Sequence, residues 1–135
     1  NLEGAGLDSE LWFPGRIKQV FSGWVVGPPT VIDDREVRIV QGKKASGSPV
    51  KLYFEEGSGL LARVVRYSES PVGRVPAQID YSDYRDVSGI KIPFKWTTTW
   101  TDGRSAFELT SVQVNAAIDA ARFAKPTPPA PGSNR

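Results

Sequence analysis

The chain has 135 residues, 39% hydrophobic and 24% charged, with 17 Lys and Arg against 15 Asp and Glu, a formal charge of +2, and no Cys, His or Met. Those three absences exclude disulfides, Cys/His zinc sites, thiolate nucleophiles, the Ser-His-Asp relay, C-x-x-C-H haem attachment and the usual axial haem ligands. The composition is that of one folded domain rather than a disordered chain. The interspersed charges lack the basic stripe of a nucleic-acid binder, and no apolar run approaches the roughly 18 residues of a membrane span.

Residues 1–6 read as a disordered N-terminus. The chain begins with Asn, so it is expected to be a processed product or a piece of a longer protein, and no stretch of it reads as a signal peptide. Between Leu7 and Phe21, Asp8 or Ser9 is a candidate N-cap, and Ile17, Val20 and Phe21 have helical spacing. Pro14 is tolerated only in a first helical turn, so the reading is a short, broken N-terminal helix whose better half follows Pro14. From Gly23 onward the period becomes two. Strands are expected at 24–32, 35–42, 50–55, 60–69, 77–86, 90–101 and 104–114. Pro28 and Pro29 cannot donate ladder hydrogen bonds, which puts the first strand at a sheet edge or a bulge. A short turn is expected over 115–121 before Phe123 folds back, and 126–135 reads as a disordered Pro-rich tail.

The turns set the registers. Asp102-Gly103, read as a two-residue turn with positive φ, pairs Thr101 with Arg104, Thr98 with Phe107, Trp96 with Leu109 and Phe94 with Ser111. Phe94, Trp96, Trp100, Phe107 and Leu109 then share one apolar face, with Lys95, Thr97, Thr99, Glu108 and Thr110 on the other. Glu56-Gly57-Ser58-Gly59 aligns Val50, Leu52 and Phe54 with Val65, Arg63 and Leu61. Ser88-Gly89 sets Asp86 opposite Lys91 and Tyr81 opposite Trp96. Together these predict an α+β, mainly β domain over 7–125: a curved antiparallel meander of about seven strands, a half-open barrel behind the short helix.

Few residues suggest chemistry. Asp80, Asp83 and Asp86 form the one carboxylate cluster, but strand alternation turns Asp83 away from the other two, and Lys91 and Arg85 stand by to pair with them. Gly57-Ser58-Gly59 lacks the lysine and helix of a phosphate loop, and Lys43-Lys44 reads as a solvated loop. Trp12, Trp24, Trp96 and Trp100 could fill a core or line a pocket. The candidate ligand-binding face is Phe94, Trp96, Trp100, Phe107 and Leu109, since one side of a curved sheet either packs on a helix or encloses a ligand. No catalytic residue, metal ligand or cofactor is expected.

Two stretches, VKLYFEEGSGLLARVVRYSESPVGRVPAQIDYSDYRDVSGIKIPFKWTTTW and NAAIDAARFAKP, resemble the C-terminal half of lipoprotein-sorting, Lol-carrier-like domains, notably a version in acidobacterial exported proteins. The resemblance covers roughly residues 10–126 and is carried by YFEEGSGLL, DYSDYRDVSGIKIPF and the IDxxxF ending at Ile118, Asp119 and Phe123. It implies a periplasmic or cell-envelope binding domain, not an enzyme, that holds an apolar ligand or lipoprotein acyl chain against its sheet. Similar domains are joined to segments described as photosynthetic reaction-centre cytochrome c subunits. That implies the alternative of a structural or protein-interaction module with no ligand of its own. The family's barrel begins with strands and a long helix that would precede Asn1. Without them the sheet is expected to be open, with edges that could form a homodimer.

Overall fold

A computed structural model describes residues 17–45 and 47–125. One helical turn, α1 (Ile17–Val20), leads into seven strands: β1 (Phe21–Ile32), β2 (Arg35–Lys44), β3 (Pro49–Glu55), β4 (Leu61–Ser70), β5 (Gly73–Val87), β6 (Ile90–Trp100) and β7 (Gly103–Glu108). They form a single unclosed antiparallel sheet in chain order, the meander that the turn spacing predicts. The predicted N-terminal segment before Ile17, with Trp12 and Pro14, and the predicted tail at 126–135 lie outside the described residues.

Each turn solves its reversal with a local device. Asp33 and Asp34 both adopt positive φ, 48° and 61°, making a two-residue connection between β1 and β2. Asp tolerates this region better than most residues because its short side chain can bond locally. Ser88 and Gly89 do the same at 54° and 83°, and the register they set is the one expected, with Asp86 opposite Lys91 and Tyr81 opposite Trp96. In β1 the two prolines lie at an edge and beside a register shift between Val26 and Pro29.

Two predicted registers need correction. Phe54 does face Leu61, but a bulge follows, and Leu52 meets Val64 rather than Arg63 while Val50 meets Arg66. The extra residue flips which side chains point inward beyond it, burying Val64 and leaving Arg63 to pair with Asp80 on the polar face at 2.5 Å. In the β6–β7 hairpin the loop is Thr101-Asp102, closed by Trp100 opposite Gly103, so Trp96 faces Phe107, Thr98 faces Ser105 and Thr99 faces Arg104. Neither Asp102 nor Gly103 takes a positive φ. The Trp100 indole lies across Gly103, where an added Cβ would come within 2.9 Å of the ring. The two-residue slip preserves the faces.

The ends also differ from expectation. Phe21 already belongs to β1, so the helix is a single turn. β7 stops at Glu108 rather than at 114, although Leu109 still donates its N–H to the Phe94 carbonyl at 2.8 Å. Pairing ends at the level of Asp83, whose φ of 52° kinks β5 opposite Phe94. The final turn is a 3-10 helix at Ala120–Phe123, capped by the Asp119 carboxylate accepting from the Ala121 N–H. Phe123 is 78% exposed and does not fold back onto the sheet.

The core sits on one face of the middle strands. Phe21, Val50, Leu52, Val64, Ile79 and Tyr81 are buried together, with Ile17, Val20 and Trp24 packed on them. Alternation delivers these side chains to one side, and α1 with the start of β1 covers them. Trp24 lies over Gly42, where an added Cβ would be 2.9 Å from its ring, and meets Phe21 edge-on at 5.5 Å.

Candidate functional site

The cover stops short of the last hairpin. Trp96 lies against the edge of the core and stacks on Phe107, ring centroids 5.2 Å apart and nearly parallel at 12°. Register places Trp100 and Phe107 on this same face, yet they are 41% and 46% exposed. Leu109, bonded through its backbone to Phe94, is half-buried at the far end. Phe94, in contrast, is only 5% exposed, and the Arg85 guanidinium lies 4.3 Å from its ring centroid. Four of the five predicted residues therefore line an accessible wall, and Phe94 lies at its closed end.

Arg85 is the residue the composition and motif reading did not place here. The signal was present in the Ser88-Gly89 register, which puts Arg85 opposite Ile92, diagonal to Phe94. Asp83 holds the guanidinium in position with bonds of 3.1 and 2.6 Å, and this hydrogen bonding keeps the Asp83 carboxyl below its ordinary pKa. A cation over an aromatic face is favourable, and the arrangement caps one end of the wall with charge.

On the reverse face, Lys95 pairs with Glu108 at 3.4 Å, and Thr97 lies opposite Ala106. A shallow depression of about 290 Å³ is lined there by Ser82, Lys95, Thr97, Ala106 and Glu108, with Trp96 and Phe107 contributing from between them. Its lining mixes the polar side chains of this face with two of the predicted wall residues, Trp96 and Phe107.

The three aspartates do not converge. Asp80 accepts from Arg63 and from Gln78, Asp83 from Arg85, and Asp86 from the Gly89 N–H, with Lys91 at 3.6 Å. Among the described residues no group of three or more Asp or Glu is arranged to hold a metal ion, and no helix is long and apolar enough to cross a membrane. Tyr84, half-buried beside the core, donates its hydroxyl to the Leu61 carbonyl at 2.7 Å, and burial pushes its pKa up to about 12. That proton is held more tightly than in water, which suits a structural tether between β5 and β4 rather than an acid or base working near neutrality.

Comparison with protein-family models, with curated proteins and with solved structures finds no match.

Proposed function

We propose that this chain is a non-catalytic periplasmic or envelope binding domain whose apolar wall, Trp96, Trp100, Phe107 and Leu109, takes up an apolar molecule or a lipoprotein acyl chain. One observation carries the reading: two large aromatics, Trp100 and Phe107, stand open to solvent on the same face as a buried core, beside a third ring already stacked. Large apolar side chains left exposed together on one face mark a surface suited to binding. Flat rings at the end of a ribbon suit an alkyl chain, which needs area and no hydrogen bonds. The Lol-carrier-like resemblance of the sequence supports the same ligand class and the exported location.

The test is titration with a fluorescent fatty acid. Saturable binding is expected, weakened at least about tenfold by Trp96→Ala and by Phe107→Ala, since each removes on the order of 1.5–3 kcal/mol of apolar contact. Binding that neither substitution weakens would contradict the placement of the site. The same exposed rings also favour a second reading, a protein-interaction module appended to a cytochrome-type or other envelope protein. Absence of fatty-acid binding, together with tight capture of a partner that Phe107→Ala abolishes, would select it.

A further inference from the structure

The two edges of the sheet are built differently. β1 is guarded by Pro28, Pro29 and two register shifts, all of which discourage another strand from adding. β7 has no proline and pairs with β6 without a shift. The bond from the Leu109 N–H to the Phe94 carbonyl fixes which of its backbone groups are free. Antiparallel ladders alternate, so Gly103, Ser105 and Phe107 turn their N–H and C=O toward β6, while Arg104, Ala106 and Glu108 turn theirs to the open edge. All three of those outward residues are exposed.

Their side chains are self-complementary. Arg104 and Glu108 are equidistant from Ala106, and Arg104 has no ion-pair partner among the described residues. If two copies of β7 meet antiparallel with Ala106 opposite Ala106, Arg104 of each lies opposite Glu108 of the other. Phe107 then lies opposite Ser105, large against small, on the apolar face. Every facing pair of outward residues in this register exchanges both backbone hydrogen bonds. Centring instead on Arg104 or on Glu108 would set like charges opposite each other, which is unfavourable.

We infer that β7 is a homodimerisation edge, pairing antiparallel with β7 of a second copy about a twofold axis at Ala106 to make one continuous sheet. The backbone contact is the strand edge, through outward groups at Arg104, Ala106 and Glu108 that are not wall residues; Phe107 is the one side chain the dimer contact shares with the apolar wall.

Sedimentation velocity of the full chain from about 1 µM to about 1 mM is expected to show a reversible monomer–dimer equilibrium, in the range a short strand interface supports. Arg104→Glu and Glu108→Arg each place like charges opposite in both symmetric pairs and are expected to weaken the dimer about tenfold. The double reversal R104E/E108R restores the opposition and should recover wild-type affinity to within about threefold. Ala106→Pro removes an outward N–H that β6 does not use, and should leave a folded monomer. A chain that stays monomeric throughout overturns the inference, as does a dimer indifferent to Ala106→Pro. Single reversals that weaken it without recovery in the double variant overturn the register.

Discussion

The middle of the sheet and its last hairpin carry the same alternation and the same kinds of side chain, yet they end in opposite states. In the middle, Leu52 and Val64 lie beneath α1, Phe21 and Trp24 and are buried. At the hairpin, Trp100 and Phe107 occupy equivalent positions on the same face and remain open. A strand pattern therefore decides which side chains share a face, and the cover decides whether that face becomes core or surface. The two tryptophan–glycine contacts repeat the contrast on a smaller scale: Trp24 seals Gly42 in the covered half, and Trp100 lies over Gly103 in the open half.

Substitutions that strike each half separately sharpen the contrast. Leu52→Ala, at a site 1% exposed, is expected to destabilise the fold by about 2–5 kcal/mol in chemical denaturation, through lost burial and the cavity left behind. Gly42→Ala drives a Cβ into a ring wedged against the core and should cost about 1–3 kcal/mol. Tyr84→Phe removes a hydroxyl that satisfies the Leu61 carbonyl and should cost about 1 kcal/mol at pH 8. That gap should narrow as the pH climbs from about 10 to about 12. The folded state raises this pKa from 10.0 to about 12, so its stabilising effect is complete below the unfolded value and is lost as the pH passes through the folded one. Gly103→Ala, which makes an equally close contact but against a ring free to swing into solvent, should cost under about 1 kcal/mol. Equal costs at Gly42 and Gly103 would mean that the two halves are equally packed.

Much of the fold was legible because turns and alternation are local. Ser88-Gly89 supplied two residues suited to positive φ, and its register followed by counting. Asp102-Gly103 looked like the same device, but its glycine serves a ring contact with Trp100, which depends on where the indole settles in three dimensions. The bulge at Ala62 was hidden for a related reason. The Gly57-Ser58-Gly59 turn fixes only the first pair, and the slip that follows answers to burial of Val64 against Leu52 across strands. The five candidate residues still share a face because a two-residue error leaves faces unchanged. Arg85 over Phe94 was missed because a charged side chain folded onto a ring leaves no mark in hydrophobic alternation.

The central claim, that the hairpin's apolar wall and not the covered core receives a ligand, is tested most directly by titrating a saturated fatty acid into the isotopically labelled chain and following side-chain and backbone resonances. The predicted result is saturable shifts concentrated at Trp96, Trp100, Phe107 and Leu109, with Leu52 and Val64 unmoved. Shifts centred instead beneath α1, or no saturable shifts at all, would contradict it.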